Sequence, residues 1–154
     1  VGAMKCKNMA EKEVEVCKRL GPHPSLVEFL GGCSLKSNEM WVVTELAPLG
    51  ALTPRLGELN TKQRKDVALQ VCEAMQALAA SGVVHRQLSH TNVLVFGTDP
   101  MKVKVADYSA GTLEGYAGGC NTYKERMRRA APETLQGRWS EASDVWAFGV
   151  LLWE

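Results

Sequence analysis

His85-Arg86-Gln87-Leu88-Ser89-His90-Thr91-Asn92 is the stretch from which the rest of the chain is best read. It is polar apart from Leu88, and it stands between two short apolar pieces, Gly82-Val83-Val84 and Val93-Leu94-Val95-Phe96. A third piece, Val103-Lys104-Val105-Ala106, runs into Asp107-Tyr108-Ser109. Short apolar runs bounded by polar residues predict buried strands. Polar residues at the ends of such strands are where folds tend to present catalytic groups. The chemistry of this chain is therefore expected at the junctions 85–92 and 107–109.

Upstream lies the clearest helix in the sequence. Asn60 or Thr61 caps it, Val67, Ala68, Val71, Cys72, Met75, Leu78 and Ala79 form one apolar face, and Gly82 closes it. Before it, Leu26 to Cys33 and Met40 to Leu46 are β-type runs joined through the polar turn Lys36-Ser37-Asn38. A shorter helix comes earlier still, with Asn8 and Glu11 as a capping pair, Met9, Glu13, Val16, Cys17 and Leu20 at helical spacing, and Gly21-Pro22 as its stop. Downstream, a glycine-rich segment from Ser109 to Ala130 leads to a last helix, which Ser143-Asp144 is expected to open and whose Trp146, Phe148 and Trp153 are expected in the core. The order predicts an α+β fold, β-rich first and helix-rich second.

Composition narrows the function classes. With 154 residues, 45% hydrophobic, 23% charged and a formal charge of +1, the chain is neither a disordered tail, a collagen-like repeat nor a small disulfide scaffold. Near-neutral charge removes the main argument for nucleic acid as a partner. No run reaches the ~18 apolar residues of a membrane span, so no membrane segment is expected. The five cysteines, Cys6, Cys17, Cys33, Cys72 and Cys120, include no C-x-x-C pair. They predict reduced thiols rather than a zinc site, and with them a cytoplasmic domain, whether or not its parent is membrane-anchored.

Taken in order, Ala3-Met4-Lys5, His85 to Asn92, Asp107-Tyr108-Ser109, Ala131-Pro132-Glu133 and Ser143-Asp144-Val145-Trp146-Ala147-Phe148-Gly149 resemble the motifs of the protein-kinase family, the last of them in its tyrosine-kinase-like members. The resemblance covers essentially the whole chain. It implies a two-lobed α+β fold, with residues 1–46 as part of the smaller lobe and 47–154 as the hinge and larger lobe. It also implies that the domain is incomplete at both ends, from the lysine strand to the helix after Ala131-Pro132-Glu133.

The resemblance implies a site as well, in which ATP and Mg²⁺ are the cofactors and a protein hydroxyl or a regulatory protein is the partner. Lys5, beside Ala3, would be the phosphate lysine and Glu13 its helix partner. Thr44, Glu45 and Ala47 fall where the family's hinge meets adenine, and Leu94 where an apolar floor lies beneath the base. Asn92 and Asp107 would hold the metal through hard oxygen atoms. Gln87 would orient the acceptor hydroxyl. His85 is expected as a packed histidine that buttresses the loop.

Several residues depart from the family pattern. Gln87 stands where the family carries the aspartate that takes or orients the substrate proton. An amide accepts a hydrogen bond but cannot take up a proton, and general-base contributions are worth ~10²- to 10⁴-fold. Ser89 and Thr91 occupy positions where members place a lysine or an arginine. Tyr108 and Ser109 replace Phe and Gly, and the spacing from Lys5 to Glu13 is shorter than usual. These departures leave two expectations, a weakened phosphotransferase or a pseudokinase that senses nucleotide or scaffolds partners. Tyr116 and Tyr123 lie where the family is often phosphorylated, with Arg86 as the residue that would pair with such a phosphate, but the expectation is a loop with unmodified tyrosines. Lys124, Arg126, Arg128 and Arg129 form a basic cluster, expected as a solvated face, with Arg129 where tyrosine-kinase-like members carry Trp.

Overall fold

The computed structural model describes residues 2–34, 39–107, 112–113 and 129–154. The expectations for Lys36-Ser37-Asn38, Tyr108, Ser109, Tyr116, Tyr123, Lys124, Arg126 and Arg128 lie outside the described residues. Strand β1 (Gly2–Cys6) leads without a break into helix α1 (Lys7–Leu20), followed by β2 (Phe29–Ser34) and β3 (Glu39–Thr44). These strands form an antiparallel sheet in the order β1-β3-β2, with Lys5 opposite Met40 and Gly32 opposite Val42. The helix therefore starts at Lys7, and Asn8 is inside it rather than at its cap. Pairing of β1 with β3 carries the strand up to Cys6, and this overrides the local capping signal.

The first apolar run is also divided differently. Its strand begins at Phe29, while Leu26 makes an isolated bridge to Val105 and Val27 donates its N–H to the Val105 carbonyl at 2.9 Å. Leu26 and Val27 are 3% and 5% exposed, so their apolarity serves the core and not the sheet. The second run ends at Thr44, after which the Glu45 N–H turns to the Glu28 carbonyl at 3.0 Å.

Helix α2 (Thr61–Ala80) matches its expected span. Asn60 Oδ1 accepts from the Gln63 N–H at 2.9 Å, and Gln63 Oε1 accepts from the Asn60 N–H at 3.1 Å, so two otherwise orphaned donors are satisfied reciprocally. Val67, Val71, Ala74 and Leu78 form its buried face. Gly82 follows at φ 65°, the left-handed conformation that ends a helix most cheaply when no Cβ is present.

Beyond α2 come β4 (Val83–Val84), β5 (Val93–Thr98), β6 (Met101–Val105) and β7 (Thr112–Leu113). β5 pairs with β6 and β4 with β7, both antiparallel. The core lies where α2 crosses the β5–β6 ribbon, and Val71, Ala74, Leu78, Val93, Val95, Val103 and Val105 are all 0% exposed there. Truncating Leu78 to Ala would cost about 2–5 kcal/mol by loss of burial and creation of a cavity.

The last helix, α3 (Glu141–Trp153), starts earlier than Ser143-Asp144 implies. Ser143 Oγ accepts from the Ser140 N–H at 3.1 Å and donates to the Ser140 carbonyl at 2.6 Å, closing the first turn. Ser143, Asp144, Ala147 and Leu151 form the buried face, and Phe148 packs beside it. Trp146 and Trp153 are 50% and 86% exposed, contrary to their expected place in the core. The reason is helical phase: both lie off the stripe traced by 143, 144, 147 and 151. Among the described residues, no helix is long and apolar enough to cross a membrane.

Candidate functional site

The stretch 85–92 leaves β4 and enters β5 through a short 3-10 turn, His90–Asn92. His85 is completely buried, as a packed histidine should be. Its Nδ1 accepts from the Gln87 N–H at 3.2 Å, which leaves Nε2 to donate to the Ala106 carbonyl at 3.0 Å. The ring thus ties the start of the loop to the residue before Asp107.

Asp144 of α3 holds the same loop from below. Its Oδ2 accepts from the His85 N–H at 2.6 Å and its Oδ1 from the Arg86 N–H at 2.9 Å. Burial pushes the Asp144 carboxyl up from its ordinary value, against the opposing pull of His85, the two N–H groups and the Arg86 charge. Arg86 itself sits at φ 68°, and its guanidinium lies 5.4 Å from the centre of the Trp139 ring. Neither Asp144 nor Trp139 stands out in the sequence as part of the site.

At the far end of the loop, Asn92 Nδ2 donates to the Gln87 carbonyl at 2.8 Å, so Oδ1 is the amide atom left for a cation. The Ala106 N–H donates to the Asn92 carbonyl at 2.8 Å, placing Asp107 next to Asn92 across the β5–β6 ribbon. Asp107 adopts φ 66°. Gln87, Asn92 and Asp107 line one cleft of about 210 Å³ together with Arg86, Arg129 and Trp139. Ser89 Oγ and Thr91 Oγ1, which also line it, hydrogen-bond to each other at 2.7 Å.

Behind the loop, Glu154 Oε2 accepts from Arg129 Nε at 2.9 Å and Nη2 at 2.8 Å, and lies 3.1 Å from His90 Nδ1. Burial pushes His90 below its ordinary value, a tendency that Glu154 opposes and Arg129 reinforces. Arg129 is thus drawn into an ion pair, contrary to the expected solvated face.

The hinge residues occupy a second neighbourhood and are not among the lining residues of that cleft. Thr44 ends β3, and the chain beyond it lies along β5: Leu49 donates to the Val95 carbonyl at 3.2 Å, Val95 to Gly50 at 2.8 Å, and Ala51 bridges Leu94. This pairing brings the stretch around Ala47 and the half-buried Leu94 to the same edge of the ribbon. Glu45 accepts from the Glu28 N–H at 2.7 Å and from Lys104 Nζ. Burial raises the Glu45 carboxyl, but the Lys104 ammonium and the Glu28 N–H outweigh it and leave the group below its ordinary value. Lys104 is 8% exposed and lies 5.0 Å from the centre of the Phe96 ring.

Glu13 is 5% exposed, so the short spacing after Lys5 still turns it inward on α1. Ala3 and Lys5 lie on β1 opposite Val42 and Met40. Their expected side-chain roles fall outside the described residues. Asn92 and Asp107 both line the cleft and carry the oxygen donors that suit a hard divalent cation, so the residues present fit Mg²⁺.

A small antiparallel sheet with one helix, a connecting stretch and a helical body with a polar loop between two ribbons define the two-lobed class to which protein kinases belong. The family model for protein tyrosine and serine/threonine kinases matches residues 2–154. Human tyrosine-protein kinase ABL2 is 39% identical, with 93% of this chain and 12% of that protein covered. Fibroblast growth factor receptor 1 of Dugesia japonica is 32% identical, with 93% and 18% covered. Human tyrosine-protein kinase TXK is 33% identical, with 99% and 29% covered. The chain belongs to the protein tyrosine and serine/threonine kinase family, and spans less than a third of the length of these relatives.

Proposed function

We propose that the chain binds ATP with Mg²⁺, the base along the Thr44 to Ala47 edge and the phosphates toward the cleft, and supports a slow transfer of the γ-phosphoryl group to a protein hydroxyl. The observation that carries this is the placement of Asn92 and Asp107 on one cleft with Gln87, by the hydrogen bonds from Asn92 Nδ2 to the Gln87 carbonyl and from the Ala106 N–H to the Asn92 carbonyl. Bound Mg²⁺ would neutralise charge on the phosphate oxygens. Asn92 Oδ1 and the Asp107 carboxylate would hold it, with Lys5 and the inward Glu13 on the phosphate side. Thr44, Glu45, Ala47 and Leu94 would form the adenine edge, Ala3 the strand beside it. Residues 1–46 would be part of the smaller lobe and 47–154 the hinge and larger lobe, working in a cytoplasmic setting.

Gln87 sets the rate. Its side-chain oxygen would accept a hydrogen bond from the acceptor hydroxyl and align it; as the new O–P bond forms and the bond to the departing ADP oxygen breaks, the hydroxyl proton must pass to a phosphoryl oxygen or to water. The same residue favours a second reading, a pseudokinase that binds nucleotide without turnover and acts on a protein partner through its surface. Phosphoryl transfer from labelled ATP, measured beside Gln87→Asp and Asp107→Ala, separates the two. Slow transfer that Asp107→Ala abolishes and Gln87→Asp accelerates by ~10²-fold or more is expected. Absence of transfer, with a thermal shift on adding Mg-ATP, leaves the pseudokinase. Absence of any shift rules out the transferase and the nucleotide sensor and leaves a scaffold.

A further inference from the structure

Arg86 combines two features that need an explanation. Its φ of 68° is a conformation that a bulky L-residue adopts only where its surroundings impose it. Its guanidinium lies over the Trp139 indole ring, 5.4 Å from the centre. Both restraints come from one stretch of chain. Asp144 Oδ1 takes the Arg86 N–H at 2.9 Å, and Trp139, five residues earlier, takes the side chain at 5.4 Å. Trp139 is half-buried and lies between Gly137, at φ 76°, and Ser140, which caps α3. The turn into the last helix therefore grips the catalytic loop by backbone and side chain together.

We propose that Trp139 is a positioning residue for this loop. By holding the Arg86 guanidinium against its ring, it fixes the left-handed turn that follows His85. That turn sets the direction of the Gln87 carbonyl, and the carbonyl in turn orients the Asn92 amide at 2.8 Å. Trp139 acts through Arg86. Tryptophan gives the strongest cation–π partner among the aromatic residues, and partial burial strengthens the contact, because less water competes for the cation. The proposal deepens the assignment of Gln87 and Asn92 to the phosphoryl-transfer site and rests on it only for the meaning of the loop's geometry.

Amide hydrogen exchange tests it without any ligand. Trp139→Ala is expected to speed exchange of the Gln87 and Asn92 amides by about tenfold, while Val71 and Leu78 of α2 keep their protection. Trp139→Phe restores most of the protection, and Arg86→Gln reproduces the loss. Adding Arg86→Gln to Trp139→Ala produces no further change, since the two act through one contact. Equal acceleration in α2 and in the loop would show a residue that merely stabilises the fold, and unchanged exchange in the loop would show no hold at all. Either result overturns the proposal. Mg-ATP titration of the same proteins reports separately on the proposed function. A parent protein that does not bind Mg-ATP removes that function and leaves the exchange result standing.

Discussion

Two carboxylates hold two parts of this domain in opposite ways. At the root of the loop 85–92, Asp144 is 6% exposed and accepts two backbone N–H groups, and burial drives its carboxyl upward. At the hinge, Glu45 accepts one backbone N–H and an ammonium, and its carboxyl ends below its ordinary value. The loop is secured by geometry at an electrostatic cost, because the charge is taken from water and its acceptor atoms are spent on neutral donors. The stretch after β3 is secured by a countercharge, which together with the Glu28 N–H outweighs the cost of burial at Glu45, so its carboxylate contributes favourably. A shared functional group therefore says little about its energetic role until its partners and burial are known.

The largest effect should come from removing the buried carboxylate. Asp144→Ala leaves the His85 and Arg86 N–H groups without their acceptor and should lower unfolding stability by about 2–4 kcal/mol in urea titration. Asp144→Asn keeps one acceptor oxygen and should lose roughly half as much. If Asp144→Ala melts like the parent, Asp144 does not anchor the loop. A smaller effect is expected at the hinge. Lys104→Met should cost about 1 kcal/mol, between the values for exposed and for buried ion pairs. A loss as large as that of Asp144→Ala would erase the contrast.

Acid titration gives the smallest effect and the sharpest sign. Glu45 has its folded value below 4.5, so its contribution is present above pH 4.5 and is lost as the pH falls through the folded value. Lys104→Met should flatten that slope. Asp144 has its folded value above 3.8, so its contribution falls as the pH rises from 3.8 through the folded value. Asp144→Asn should remove that opposite slope. Thermal melts of the two variants between pH 3 and 7 distinguish these outcomes; slopes of one sign for both groups would break the comparison.

What the sequence disclosed follows the range of the interactions. Helix α2 is legible because its period and its Asn60 cap are local. Gln87, Asn92 and Asp107 are singled out because their order resembles that of a known family, and the cleft brings the three together, whatever their roles. Asp144 is misread as a helix opener because an acid near a helix start has a local meaning, while its real partners lie 59 and 58 positions away. Trp139 is silent for the same reason. Lys104 carries no local signal of its partners, because Glu45 and Phe96 reach it only through the fold. Trp146 and Trp153 are misplaced because counting apolar residues without their helical phase counts both faces of α3.

The backbone at Asp107 carries one more consequence. At φ 66° it occupies a conformation that glycine reaches with no steric cost and aspartate with a modest one. A library of substitutions at this position would therefore answer two selections differently. Screened for folding alone, it would enrich glycine, and screened for the proposed binding of nucleotide, it would return the carboxylate. The distance between those two winners measures how much of this residue belongs to the scaffold and how much to chemistry.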